Sequence, residues 1–578
     1  MKKRLSPVYT LRGFRRSLAS IDALPQFAIL GIFSGLVTGL VILAFRTAIE
    51  LPLSLLLPDG DFENFEGLST LSHLMLPALG ALSIGIAFSL LKSDRQQVGV
   101  SHVLQRLSRH QGYLPTGNLL VQFVGGTLAL LTGQSSGREG PAVHLGAASS
   151  SLLGQALKLP NNSIRILVGC GAAAAISASF NTPLAGVIFS MEVVVMEYSI
   201  AGFVPVILAA ISATLVNQVV YGRLAAFDIP ALSMRTFFDI PYVVLEGFLI
   251  GALAAAFIAC VRFFHRYAPT QAWQRLTLAG LITGLMAMGV PEILGIGYDT
   301  VNHALVGELS FLILIAACLC KLVASAASVG MGMPAGLIGP TLFIGATAGG
   351  LLGIIGNSIL PDYASSHGFY VMLGMGAMMG AVLQAPLAAL LAIVELTHNP
   401  NIVLPAMLAI VVANLTSSQI FGCRSIFLTQ MDLLGLEFRH NPLSLALNRA
   451  SVASIMERNM DRLQRIIPHA AARAALADKP HWILVDDDDG PAFIVRAEDL
   501  ANHLDSLEDD TAEIDLASFA ATRKDVTGVL LQATLQEALD ILDKSGVEAL
   551  YVTRISAPMI DSVAGIVTRE DIEAYYQS

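Results

Sequence analysis

Glu139 is the residue whose type and setting could do chemistry. It stands in the run Gly137-Arg138-Glu139-Gly140-Pro141, and from Pro141 to Met191 the formal charges are Lys158 and Arg165 alone. An ionisable group beside so apolar a stretch is expensive and marks a functional candidate. The two glycines let the backbone approach a ligand closely. Pro141 suits the first turn of a helix. This predicts Glu139 at a helix N-terminus, where free N–H groups and the positive dipole end attract an anion. The anion present by default is the Glu139 carboxylate, a plug that would compete with a mobile anion for the same place. The alternative is an ion pair between Arg138 and Glu139 at a loop end.

A second run, Ala335-Gly336-Leu337-Ile338-Gly339-Pro340, has the same form, with Ile338 where the first has Glu139. It offers N–H groups and no carboxylate. Two such N-termini converging would make a dehydrated anion site from backbone donors. One decoy lies next to it: Gly133 to Gly137 reads G-x-S-x-G around Ser135, the hydrolase elbow. That motif needs a strand before it and a histidine with an acid. Here a long apolar run precedes it and His144 is the nearby histidine, so no enzyme is read. No H-E-x-x-H and no Walker A motif occurs. Cys170, Cys260, Cys318, Cys320 and Cys423 sit in apolar segments without metal-ligand spacing and read as small buried side chains. No metal is expected.

The elements that must position these residues are membrane elements. The chain has 578 residues, mean hydropathy +0.66, and only 13% charged residues, about half the soluble norm of ~25%. A first apolar run over 27–45 is long enough to span. Six bases from Lys2 to Arg16 precede the first acid, Asp22, which places the N-terminus in the cytoplasm. Gly31, Gly35 and Gly39 form one face for close helix approach. Further apolar segments, among them 141–158, 183–196 and 386–397, are too short or too broken by Gly and Pro for a plain bundle. They predict broken helices meeting near the midplane.

Residues 140–154 align with 339–353 at an offset of 199, and 183–192 with 386–395 at an offset of 203. Two matches in register predict a duplication, with halves about 21–225 and 235–438 and the site at their interface. From His440 onward the net charge is -12, against +2 before it. The tail, 445–578, reads as a small α/β domain in two similar halves, with strands at 482–485, 493–495, 549–552 and 564–567 and a helix over 534–546 ended by Gly546. Asp486 to Asp489 reads as a solvated turn. An acidic tail argues against nucleic acid as a partner.

The Gly137-to-Pro141 run, 179–194, 336–345 and 425–436, in this order, resemble the CLC family of chloride channels and chloride/proton antiporters. The tail resembles a pair of CBS domains. The resemblance implies a polytopic α-helical membrane protein, a homodimer in the inner (plasma) membrane with both termini cytoplasmic, built from inverted repeats of broken helices. It implies chloride or a similar anion as the transported ion, lipid as surroundings, and no cofactor.

Residue by residue, the resemblance puts Glu139 on the gating position. Gly137, Arg138, Gly140, Leu337, Ile338 and Gly339 fall on the anion-coordinating stretches. Val98 stands where the family has a serine hydroxyl, and Phe427 where it has a tyrosine hydroxyl. Val193 stands where antiporters carry the internal proton glutamate, which favours a passive channel over a coupled antiporter. A water chain or Glu192 itself could substitute for it, and Glu192 and its repeat partner Glu395 could instead satisfy helix ends or interface contacts. In the tail, Thr568 and Asp571 fall on the ribose-binding pattern of an adenine nucleotide, whereas Arg496 stands in the threonine's place in the first half, with Asp499.

Overall fold

The computed structural model describes residues 18, 23–196, 200–222, 233–359, 361–436, 442–487, 490–506, 513–557 and 560–577. The basic N-terminal residues up to Arg16, Asp488 and Asp489 lie outside them. The chain divides into two compact units: Phe27–Leu157 with Ile164–Phe438, and Arg439–Ser578 with Lys158–Ser163 and the residues up to Gln26.

The larger unit is helical. In chain order it comprises α1 (Leu24–Leu56), α2 (Thr70–Ser89), α3 (Gly99–Arg109), α4 (Thr116–Leu131), α5 (Glu139–Ala156), α6 (Asn161–Phe180), α7 (Pro183–Phe189), α8 (Ile200–Tyr221) and α9 (Ile240–Arg266). It continues with α10 (Ala272–Ala287), α11 (Tyr298–Val306), α12 (Phe311–Gly330), α13 (Ile338–Ile359), α14 (His367–Leu383), α15 (Pro386–Thr397), α16 (Val403–Leu415) and α17 (Ile426–Leu433). Among the described residues eight helices are long and apolar enough to cross a membrane, and four further apolar helices are shorter. The mixture of full spans and short helices is the pattern the interrupted apolar runs predict.

The first run extends beyond its expected end at residue 45. Arg46 and Glu50, one turn apart, pair at 2.6 Å, and Arg46 lies 3.7 Å from the Tyr221 ring centroid. The charges thus satisfy each other and α1 continues. The segment 183–196 breaks instead. After α7 a π-helical turn, Ser190–Val195, ends at Met196 in the left-handed region.

The duplication is legible as packing. A Cβ on Gly31 or Gly35 of α1 would collide with the carbonyls of Pro205 and Ala209 of α8. In the second half Gly247 and Gly251 of α9 meet the carbonyls of Ala409 and Ala413 in the same way. Gly146 and Gly171 abut each other's backbone, and so do their counterparts Gly345 and Gly374. Only a hydrogen in place of a side chain permits these approaches, and overpacking such a contact costs about 1–3 kcal/mol or more.

The C-terminal unit holds α18 (Pro442–Arg449), α19 (Val452–Ile455), β1 (Met460–Gln464), β2 (Ile466–Pro468), α20 (His469–Leu476), β3 (Trp482–Asp487), β4 (Gly490–Arg496), α21 (Ala497–Asp505) and β5 (Glu513–Asp515). After it come β6 (Lys524–Leu530), α22 (Leu535–Ser545), β7 (Ala549–Ala557), β8 (Ile560–Thr568) and α23 (Arg569–Gln577). The sheet order is β1-β3-β4-β6-β7-β8. Each half has a parallel pair followed by an antiparallel hairpin and a helix, and β4 joins β6 antiparallel. Helix α22 opens with a capping box of Thr534 and Glu537 and ends on Gly546 in the left-handed region. The Asp486 end of the β3–β4 turn is less solvated than expected. Asp486 is buried and pairs with Arg462 at 2.7 Å, and Asp487 pairs with Arg465.

Candidate functional site

Helix α5 begins at Glu139 itself, so the carboxylate stands in the first turn as the run of glycines and Pro141 predicts. It is fully buried. The Tyr298 hydroxyl donates to its Oε1 at 2.6 Å, and the Gly339 N–H donates to its Oε2 at 3.1 Å. Gly339 lies in the first turn of α13, so the glutamate of one half occupies the helix N-terminus of the other. Gly137 and Gly336 exchange backbone hydrogen bonds of 2.8 and 2.7 Å in an antiparallel bridge. These two residues are 199 apart, the repeat offset. Equivalent residues that pair with each other lie on the pseudo-two-fold axis, so the two Gly-Pro runs meet there. A Cβ on Gly137 would collide with the Glu139 carboxylate.

Arg138 does not pair with Glu139. Its guanidinium donates to Glu50 Oε1 at 3.0 Å and to the Ser179 carbonyl at 3.2 Å. The hydrolase reading also fails locally: Ser135 Oγ is 3.0 Å from Ser325 Oγ, and His144 bonds to His102 at 2.8 Å.

The repeat orders the surroundings further. Helix α3 begins at Gly99 and α11 at Tyr298, again 199 apart. Gln122 accepts from the Gly99 N–H and donates to the Pro334 carbonyl. Its counterpart Lys321, fully buried, donates to the carbonyls of Ile293, Gly295 and Ile296 at 3.0–3.2 Å. Each side chain thus fastens the loop that precedes its short helix.

Two cavities flank the runs and are repeat counterparts. A narrow pocket of about 20 Å³ is lined by Leu130, Arg138 and the loop Gly295-Ile296-Gly297, with Glu50 and Glu63. A wide vestibule of about 290 Å³ is lined by the equivalents Val329, Leu337 and Gln96-Gln97-Val98, and by Gly140, Ile338 and Phe427. Val98 and Phe427 therefore face one space with the Gly140 and Ile338 turns, and they bring no hydroxyl to it. In the wall of the narrow pocket Glu63 Oε2 accepts from the Asp299 N–H at 3.0 Å. Burial, reinforced by Asp299, pushes the Glu63 and Glu66 carboxyls up to about 7.

Glu192 and Glu395 satisfy helix ends. Glu192 accepts from the N–H groups of Leu387 and Ala388 at the start of α15, and Glu395 from those of Leu184 and Ala185 at the start of α7. The exchange is reciprocal across the repeat. Val193 is buried in the π-helical turn. In the tail, the Thr568 N–H and hydroxyl donate to Asp571 at 2.8 and 2.7 Å, capping α23, whereas Arg496 makes no such cap. Among the described residues no group of three His, Cys, Asp or Glu could hold a metal.

A buried carboxylate where two repeat-related helix starts meet, among full spans and short broken helices, defines the class: a duplicated, polytopic helical membrane protein. The chain belongs to the voltage-gated chloride channel (CLC) family, whose model matches residues 79–418. It is 31% identical over 353 residues to a ClcB-like protein of Ralstonia nicotianae, covering 60% of this chain and 82% of that one. It is 31% identical over 356 residues to the voltage-gated ClC-type chloride channel ClcB of Escherichia coli O81, covering 61% and 85%. Its fold is similar to that of a slow cyanobacterial Cl⁻/H⁺ antiporter, with TM-score 0.62, 22% identity, and 71% and 98% coverage. It is also similar to that of a eukaryotic CLC transporter, with TM-score 0.57, 21% identity, and 96% and 99% coverage. The chain is a multi-pass membrane protein.

Proposed function

We propose that the chain is a passive pathway for chloride or a similar small anion, gated by Glu139. The observation that carries this reading is the carboxylate itself, buried and accepting the Gly339 N–H at the N-terminus of α13. That is the place a dehydrated anion would take, so carboxylate and anion compete. Passive movement is favoured over proton coupling because Val193 offers no carboxylate and Glu192 is occupied at a helix end. A second reading, a proton-coupled antiporter, is favoured by the similarity to a structure described as a Cl⁻/H⁺ antiporter. Chloride efflux from proteoliposomes with simultaneous proton recording separates the two. Chloride efflux without proton movement supports the channel, and a reversal potential that shifts with a pH gradient at fixed chloride supports the antiporter.

We read the protein further as a homodimer of the plasma membrane with both termini cytoplasmic, the orientation that the N-terminal bases imply. The tail is read as a CBS pair. Thr568 and Asp571 would meet an adenine nucleotide in its second half only, and their mutual cap also accounts for them without a ligand.

A further inference from the structure

We propose that residues 46–69 form a cap over the narrow pocket, wedged by Phe65 and latched by Glu63, which acts as a second gate in series with Glu139. The proposal rests on the anion-pathway reading above. The cap is an insertion relative to the second half. Gly31 and its counterpart Gly247 are 216 residues apart, whereas Gly99 and Tyr298 are 199 apart. The first half therefore carries 17 more residues between these points. They lie in the longer α1 and in its connection to α2, which runs over 57–69 against 267–271 between α9 and α10. From this segment Ile49, Glu50, Leu53, Phe62, Glu63 and Phe65 line the narrow pocket, while residues 267–271 do not line the wide vestibule. The two spaces differ accordingly, about 20 Å³ against about 290 Å³. A space that small takes roughly one water molecule, so a partly hydrated anion passes only when the cap is displaced. The pocket adjoins the plug. Its wall includes Arg138 and Gly297, the chain neighbours of Glu139 and of the Tyr298 that holds it.

The cap is held shut by few contacts. The buried Phe65 ring lies on the seam between Gly133 and Gly295, whose backbones bond at 3.3 Å. Both glycines have positive φ, and a Cβ on Gly133 or Gly295 would sit 3.1 or 2.7 Å from that ring. Glu63 accepts the Asp299 N–H in the first turn of α11. Among the described residues one further hydrogen bond ties 61–68 to another element, from the His73 ring to the Phe65 carbonyl at 3.0 Å. A segment with so few ties opens locally at low cost. The charges around Glu63 add a pH response. It shares the pocket with Glu50 and Arg138 and interacts with Asp61, Tyr298, Asp299 and Lys321, with Glu66 and Glu292 in the same cluster. Burial, reinforced by Asp299, raises its carboxyl from 4.5 to about 7. Its proton therefore stabilises the latched cap, and that contribution fades as pH rises across this window. The plug responds in the opposite sense, because a protonated Glu139 no longer competes with an anion.

The full chain carrying Ile49→Cys, purified in detergent, tests the cap without reference to transport. The readout is the rate at which a charged methanethiosulfonate modifies the pocket thiol, with the parent protein's own cysteines as baseline. At pH 5.5, adding Phe65→Ala should raise that rate about tenfold, since a buried aromatic is among the costliest side chains to lose; gel filtration confirms the fold. At pH 7.5, Glu63→Gln keeps an acceptor for the Asp299 N–H without the charge and should lower the rate about threefold. This isosteric change keeps the test open if Phe65→Ala does not fold. An unchanged rate in folded Phe65→Ala overturns the cap, and an unchanged rate in Glu63→Gln overturns the latch. Chloride efflux from proteoliposomes then tests the gate: Phe65→Ala should raise it about threefold. Unchanged efflux, with a measurable parent rate, overturns the second gate and leaves the transport reading intact. Faster thiol modification supports the cap even if the parent protein moves no chloride.

Discussion

The two cavities that flank the Gly137–Gly336 bridge share a backbone and differ in charge. Leu130, Arg138 and the Gly295-Ile296-Gly297 loop frame the narrow one, and their equivalents Val329, Leu337 and Gln96-Gln97-Val98 frame the wide one. The narrow mouth pairs its arginine with Glu50 and adds Glu63, so it is nearly filled and internally neutralised. Among the described residues the wide cavity is lined by Arg275, whose Nε has no hydrogen-bond partner, and by no acid. The duplication thus supplied symmetric architecture, and side-chain differences made its two cavities unlike. Glu139 facing Ile338 is the same lesson at the axis. One half supplies the carboxylate and the other supplies the N–H that donates to it.

The sharpest way to break this asymmetry is to remove it. Ile338→Glu places a second carboxylate at the axis and should lower chloride efflux more than tenfold, with gel filtration confirming a folded protein. Glu139→Gln should act in the opposite direction, raising efflux about tenfold and flattening its pH dependence, since a lost ionic competitor is worth ~1.4 kcal/mol or more. Unchanged flux and an unchanged pH profile would remove Glu139 from the gate. Tyr298→Phe deletes the hydroxyl at 2.6 Å that fixes the carboxylate. About threefold higher efflux is expected, as one hydrogen bond contributes ~0.5–1.5 kcal/mol.

Where the halves are alike, mutation should be alike. Glu192→Gln and Glu395→Gln each weaken one helix start, and both should cost ~1 kcal/mol in thermal stability. Unequal losses would show that the reciprocal caps are not equivalent. The smallest effect concerns the acids of the narrow side. Glu63 and Glu66, raised to about 7 from 4.5, bind protons in the folded chain that the unfolded chain has already released. Stability should therefore fall as pH rises from 5 to 7, and Glu63→Gln should reduce that slope in a detergent melting series.

The fold was largely legible because its physics is periodic. Gly31 and Gly35 announced a close helix crossing, and the two aligned runs announced the pairing at Gly137 and Gly336. Glu139 was legible because a carboxylate in an apolar stretch has few other reasons to be there. The partners of that site were not, since they are ordinary residues until the chain is folded. Tyr298 and Glu63 lie 159 and 76 residues from Glu139, and no local spacing joins them to it. One signal was available: the offset of 199, carried beyond the aligned runs, joins Gly99 to Tyr298 and Gln122 to Lys321. The roles of Glu192 and Glu395 stayed open in the sequence because a glutamate that caps a helix in the opposite half leaves no local trace.

The Gly137–Gly336 bridge also sets a timetable. A ribosome adding about 5–20 residues per second needs roughly 10–40 seconds to deliver Gly336 after Gly137 has left it. During that interval the first glycine loop has no symmetric partner, and its polar backbone must be sheltered by something other than the finished protein. Insertion of this chain is therefore a process with a built-in delay, and whatever screens that loop in the interval decides how many chains survive to close the axis.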